Sequence, residues 1–367
     1  MENSADCHGF RASSAALPVP KLARTLQLQQ DRTESPPTHT HPCRCGPGRR
    51  RLAPILLPLP WYPSRQVLRG WSGRMSCSSG RLGWCPTPKR YEDCDPFINT
   101  TAILQSGHIN VPNIIASNKT LGFLLLTDLG NTHYLAATDN DNADELYHDA
   151  IDSLISIQLN ANSETLPVYS HDLLQQEMNL FHEWLLNSYL SLALTEDDYH
   201  QLSILHETLI DNAISQPQVF VHRDYHSRNL MVTEANNPGI IDHQDAVKGP
   251  ITYDLVSLLK DSYIHWSKQK QNEWINYYLE QLKLREPKLT FEHKQFKKWF
   301  DLMGVQRELK VAGIFARLFL RDNKSTYLKD IPLTLNHILD LADTYSELNW
   351  IINFINNKVL PALENKI

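Results

Sequence analysis

Residues 219–232 read VFVHRDYHSRNLMV: two apolar, strand-forming runs enclose eight positions that carry His222, Arg223, Asp224, His226, Arg228 and Asn229. An ionisable group taken out of water costs several kcal/mol or more unless it is paired. A buried strand cannot run through such a block. The chain has to leave the strand, form a polar loop and resume apolar packing at Leu230. Charge concentrated between two strands calls for a chemical reason.

The spacing supplies one. His222, Arg223 and Asp224, with Asn229 five residues beyond the aspartate, form the H-R-D-x-x-x-x-N arrangement of a phosphoryl-transfer catalytic loop. After Met231 and Val232 come the polar residues Thr233 to Gly239, in which Asn237-Pro238-Gly239 is turn chemistry, and then Ile240-Ile241-Asp242. Two short strands joined by a tight connection are expected. Pairing Leu230 with Ile241 sets Asn229 opposite Asp242, with Cβ atoms roughly 4.5–5.5 Å apart. An amide oxygen and a carboxylate so placed can share one cation. An all-oxygen site that keeps waters and touches phosphate suits magnesium. Asp224 lies outside the strand beside that cation, free to take a hydroxyl proton, which completes a minimal kit for moving a phosphoryl group from ATP to an alcohol. Two plainer readings stay open: Asp224 and Asn229 as loop caps, and a zinc site from His222, His226, Asp242 and His243. The latter lacks a closed-site spacing and a nearby cysteine. His222 alone reads as a residue that holds the loop by hydrogen bonds.

The block HRDYHSRNLMV, with PGIIDHQDAVKGPITYDLVSLLKDSYIHW after it, resembles the aminoglycoside phosphotransferase-like kinases. Within them it is most similar to the bacterial kinases that phosphorylate the anomeric hydroxyl of N-acetylmuramate and N-acetylglucosamine in cell-wall recycling. EDCDPFI (92–98), NVPNIIASNKTLGFLLLTDLG (110–130) and MGVQRELKVAGIFARLFLRD (303–322) extend the resemblance from Glu92 to near the C-terminus. The resemblance implies an α+β, two-lobed protein-kinase-like fold with a helical C-terminal lobe, a small amino-sugar substrate, ATP and Mg2+ as cofactors, and a cytoplasmic protein. It implies no nucleic-acid or membrane partner. Residue by residue it implies Asp224 as catalytic base, Asn229 and Asp242 as metal ligands, and Asp254 as a brace for the loop. It also implies that the carbonyl of Thr127 and the amide of Leu129 read adenine at the hinge. Two positions depart from the pattern: His243 stands where these sugar kinases usually carry an apolar aromatic residue, and Glu308 where histidine is expected. A histidine beside a metal aspartate lowers metal affinity when protonated. The competing functional readings are an aminoglycoside or small-alcohol phosphotransferase, and a non-catalytic kinase-like protein without a complete ATP lobe.

From Tyr91 onward 21 Lys and Arg stand against 37 Asp and Glu, which excludes a broad basic face for nucleic acid. Residues 122–127 form a continuous apolar run, expected as a central buried strand. Asp141 and Asn142 are expected to cap a helix whose Leu146, Ala150, Leu154 and Ile157 share a face. Leu173 to Leu194, Leu255 to Leu259, Trp274 to Leu284 and Leu348 to Leu363 read as further helices.

The first ninety residues differ in kind. They hold five of the six cysteines, 12 of the 21 prolines and 14 basic residues against four acidic ones, with no Asp or Glu between Ser35 and Tyr91. Such a segment is not expected to fold by itself. A basic tail, an Arg-rich transit peptide and a metal site at His39, His41, Cys43 and Cys45 are weaker explanations. The apolar run Leu52 to Trp61 is too short to span a bilayer. Arg, Pro, Cys, Ser, Gly and Trp are also what GC-rich codons encode out of frame, so the expectation is a disordered or out-of-frame segment over 1–90 that replaces most of the small lobe. Residues 91–130 are then the remainder of that lobe with the hinge, and 131–367 the helical catalytic and substrate lobe.

Overall fold

The computed structural model describes residues 56–58, 93–120 and 122–366, all within one compact unit spanning Pro54–Ile367. The expectation for 1–90 lies outside the described residues, apart from Leu56–Pro58, which form strand β1.

The apolar run at 122–127 becomes β3 (Phe123–Leu126), the middle strand of a three-stranded antiparallel sheet between β1 and β2 (Ile114–Asn118). Its middle position agrees with the sequence reading, but only Leu124 is fully buried, against Cys94 and Phe97. Those two residues start α1 (Asp95–Ser106), a helix that the sequence reading did not name, with Asp95 and Pro96 in its first turn. Proline there forfeits no helix bond, and the carboxylate favours the positive end of the helix dipole.

Behind this sheet the chain is mostly helical. In α2 (Ala143–Asn160) Leu146, Ala150, Leu154 and Ile157 are buried, as the periodicity requires. Its start differs from expectation: the Asn142 side chain turns away from the helix, donating to the Ala137 carbonyl at 2.8 Å and accepting from the Asp139 amide at 2.9 Å. Ser170 caps α3 (His171–Leu180), which widens into a π-helical stretch over Phe181–Tyr189. At that junction Gly313 lies against the Leu180 and Phe181 backbone, where any side chain would collide. A full capping box, Thr195 with Asp198, opens α4 (Glu196–Ile214).

Strand β4 (Gln218–Val221) leads into the polar loop, and β5 (Leu230–Met231) follows it. β4 pairs antiparallel with β7 (Val247–Pro250), and β5 with β6 (Gly239–Ile240). The loop is thus suspended between two small ladders. Next come α5 (Tyr253–Leu259), wholly buried, α6 (Lys268–Arg285), the thirty-residue α7 (His293–Asp322) and α8 (Ile331–Leu339). The last helical stretch, Asn349 to Glu364, is interrupted by a π-helical turn at Ile355–Val359. No helix among the described residues is long and apolar enough to cross a membrane.

Candidate active site

Three buried contacts clamp the loop. The Asp254 carboxylate, in the first turn of α5, accepts the backbone N–H of His222 at 2.6 Å and of Arg223 at 3.0 Å. Burial nevertheless pushes this carboxyl up to about 7, and the two N–H bonds only moderate the rise. The Tyr225 hydroxyl donates to the Ala150 carbonyl of α2 at 2.8 Å. Asp261, just beyond α5, accepts both the amide (3.0 Å) and the hydroxyl (2.5 Å) of Ser227. His222 accepts the Asp224 amide on Nδ1 at 3.3 Å and has Nε2 3.1 Å from the Ile241 carbonyl, so Nε2 carries the proton. Burial pushes this imidazole down to about 4. It is a neutral strut, as its sequence context implied.

Arg223 sits at φ 76° and Asp242 at φ 65°, a left-handed backbone that costs a non-glycine residue about 1–3 kcal/mol. For Asp242 this conformation overturns the expected register. Leu230 pairs with Ile240, not with Ile241, so Asn229 faces Ile241, whose amide it receives at 3.1 Å. In a regular ladder Asp242 would then lie one residue off and point to the opposite face. The left-handed turn brings its carboxylate back, and Asn229 Nδ2 lies 3.4 Å from Asp242 Oδ2. The proximity inferred from the sequence is present, produced by a backbone kink and not by strand pairing.

Asn229 Nδ2 also donates to the Asp224 carbonyl at 3.0 Å, which commits the amide nitrogen to the protein. Gln244 donates to Asp242 Oδ1 at 2.9 Å. Burial pushes the Asp242 carboxyl up to about 6, the charges of Asp224 and Asp245 add to the rise, and Gln244 and Asn229 oppose it. A crowded set of acidic oxygens with an amide oxygen beside it has the donor chemistry for a magnesium ion that retains waters. His222, one ligand of the zinc alternative, spends both ring nitrogens on the Asp224 amide and the Ile241 carbonyl.

His243 is fully buried, with Nε2 2.7 Å from Thr101 Oγ1 and its ring centroid 4.5 Å from that of Phe97. The Thr101 hydroxyl donates to the Phe97 carbonyl at 2.7 Å, so it accepts from the histidine. Burial pushes His243 down to about 3. It stays neutral near pH 7 and packs on α1 as an aromatic residue would, so the expected charge effect on a metal does not arise there.

At the hinge, Thr127 and Asn113 exchange two bonds: the Thr127 amide to the Asn113 carbonyl at 2.9 Å, and the Asn113 amide to the Thr127 hydroxyl at 2.8 Å. Leu129 reaches the β5–β6 hairpin, where a Cβ on Gly239 would come within 2.9 Å of Leu129 Cδ1. Gly239 thus leaves room for the Leu129 and Thr233 side-chain ends, which would otherwise have to shift, while the positive φ of the turn falls on Asn236 (53°). Asn110 ties the same hairpin to the hinge segment: its carbonyl accepts the Ile240 amide at 2.8 Å, and Nδ2 donates to the Asn236 carbonyl at 2.9 Å.

Sequence reading missed a second polar group behind the loop. Glu177 of α3 is ion-paired with Arg223, lies 2.9 Å from Lys310 Nζ of α7, and accepts the Tyr169 hydroxyl. Lys310 also donates to the Tyr253 hydroxyl at 2.9 Å. Glu308, the other departure from the family pattern, is buried 3.4 Å from His337 Nδ1. A cavity of about 460 Å³ opens elsewhere, between the start of α6 and α8, where His265 stacks on His337.

Residues 71–292 match the family model described as "Phosphotransferase enzyme family". The chain is 41% identical over 261 residues to the N-acetylmuramate/N-acetylglucosamine kinase of Pseudomonas putida, covering 71% of this chain and 77% of that protein. It is 38% identical over 244 residues to the protein of the same name from Neisseria meningitidis serogroup B, covering 65% and 73%. Among solved structures, a choline/ethanolamine kinase family protein from Mesorhizobium loti matches with a TM-score of 0.52 at 10% identity, covering 72% of this chain and 84% of that one. That likeness is one of fold, and the fold is kinase-like.

Proposed function

The chain belongs to the phosphotransferase enzyme family, and from that premise we propose that it transfers a phosphoryl group from ATP to the anomeric hydroxyl of N-acetylmuramate or N-acetylglucosamine. One observation carries the reading: Asp224, the Asn229 amide and the Asp242 carboxylate stand together in a loop and hairpin held by buried contacts, in a chain 41% identical to kinases bearing those sugars' names. Asp224 orients the acceptor hydroxyl and takes its proton. An anomeric hydroxyl is more acidic than an ordinary alcohol because the ring oxygen withdraws electrons, so a carboxylate base suffices. Asn229 Oδ1 and Asp242 would hold magnesium, which when bound neutralises charge on the ATP phosphates. Asp254, Asp261 and Tyr225 keep the loop from drifting, which preserves the alignment on which such catalysis depends. The Thr127 carbonyl and Leu129 amide are the groups that bind adenine.

The test is a panel of N-acetylmuramate, N-acetylglucosamine, glucose, kanamycin and choline with Mg-ATP, followed by phosphorus NMR. A product phosphate coupled to the C1 proton of an amino sugar is expected. Phosphate on kanamycin or choline alone would overturn the sugar assignment in favour of a drug or small-alcohol kinase.

A further inference from the structure

Helix α7 carries three consecutive polar side chains that are almost fully buried and incompletely bonded. Gln306 is 0% exposed with neither amide atom partnered, Arg307 is 5% exposed with Nη1 unpartnered, and Glu308 is 1% exposed with Oε2 unpartnered among the described residues. A buried polar atom left without a partner costs about 1–3 kcal/mol. Successive helix residues point to different sides, so these are separate orphaned groups, and the Arg307 guanidinium is the one whose chemistry suits an anionic ligand.

This level of α7 is directed at the catalytic loop. Lys310, one turn further along, shares Glu177 with Arg223 of the loop. On the loop side His226 is buried too, with Nδ1 unpartnered. Burial opposes the charge on Arg307, and the carboxylates of Glu308, Asp261 and Asp224 outweigh it. Its ion-pair contact distinguishes it from Arg223, the structural arginine of the same region. Arg223 is bonded directly to Glu177, whereas the carboxylate that approaches Arg307, that of Glu308, stops 3.9 Å from Nη1, beyond hydrogen-bond reach. Glu308 turns the same oxygen toward His337.

Resting on the kinase reading above, we infer that Arg307 is the specificity-determining residue for the acceptor, its guanidinium receiving the carboxylate of an acidic amino sugar. A planar guanidinium matches a carboxylate with two parallel N–H bonds. An acidic acceptor approaching Asp224 meets repulsion from Asp224, Asp242 and Asp261, and a fixed cation in that wall offsets it. N-acetylmuramate carries a lactyl carboxylate that N-acetylglucosamine lacks, so Arg307 acts on the first sugar and much less on the second.

Steady-state kinetics with both sugars, on the full chain and on Arg307→Met and Arg307→Lys, test this. The ratio of kcat/KM for N-acetylmuramate over N-acetylglucosamine should fall at least about tenfold in Arg307→Met, chiefly through KM for the acid sugar, as expected for a lost charge-assisted bond. Arg307→Lys, which keeps the buried charge, should fall between. Turnover of N-acetylglucosamine reports that each variant is folded. A proportional loss on both sugars in both variants, or no change in the ratio, would overturn the assignment of Arg307 while leaving the kinase reading intact. Should the unaltered chain phosphorylate neither sugar, the kinase reading falls, and calorimetry decides on Arg307 separately. N-acetylmuramate binding that disappears in Arg307→Met would bear it out, and equal or absent binding would refute it.

Discussion

The Glu177 carboxylate is shared by half-buried Arg223 and buried Lys310, so Glu177→Gln removes that anion while preserving its shape. In the folded protein burial pushes the Glu177 carboxyl up, but Lys310 and Arg223, with the Tyr169 hydroxyl, outweigh it and hold the group at about 2 against its ordinary 4.5. That gap corresponds to about 3 kcal/mol of folding stability near pH 7. Breaking a buried ion pair from one side costs about 3–5 kcal/mol, the same order. The sign follows from the depressed value. The stabilisation is complete above the unfolded carboxyl's range near 4.5 and is lost as pH falls toward 2, so roughly 2 kcal/mol of it should be gone by pH 3. Urea unfolding of both proteins at pH 7 should show the variant about 3 kcal/mol less stable, and the difference should narrow as pH is lowered to 3. Because Arg223 stands at φ 76° within the catalytic loop, loosening its partner should also lower kcat more than it raises KM for ATP. A loss under about 1 kcal/mol, or a difference that stays constant from pH 7 to 3, would show that the network does not hold the loop as argued.

Asp224→Asn should lower kcat at least about 10²-fold with little change in ATP affinity, since positioned proton transfer contributes about 10²–10⁴-fold. Near-normal turnover would make Asp224 a loop residue only. Asp242→Ala should abolish magnesium-dependent ATP binding measured by calorimetry, whereas His243→Phe should preserve it, because the histidine is buried and neutral and Thr101 keeps its bond to Phe97. Equal loss in both would make His243 a ligand. For residues 1–90 we propose the frame explanation: a correction of one or two bases between roughly codons 80 and 92 should open a frame rich in acidic and alternating apolar residues. Sequencing of the coding DNA that finds no such frame would discard it.

The candidate block from His222 to Asn229 was legible because its chemistry is written in residue types at short spacing: Asp224 and Asn229 are five residues apart and lie on one loop wherever it is placed. The stripe of Leu146, Ala150, Leu154 and Ile157 was legible for a similar reason, since helix period is a local property. Register was not local. The pairing of Leu230 with Ile240 depends on how Leu129 and Asn110 seat the hairpin, and the convergence of Asn229 and Asp242 depends on one left-handed residue that no side-chain pattern announces. The His243 departure read as a charge problem from its neighbours in sequence, and became an aromatic contact once burial against Phe97 and Thr101 removed its proton. Glu177, Asp261, Arg307 and Lys310 carried no signal of their own in the chain. They lie from 34 residues (Asp261 from Ser227) and 46 residues (Glu177 from Arg223) to more than 80 (Arg307 and Lys310) from the loop residues they serve. Only the packing of α3, α5 and α7 around that loop brings them within reach, because electrostatic and hydrogen-bond partnership is set by distance in space, which local sequence does not encode.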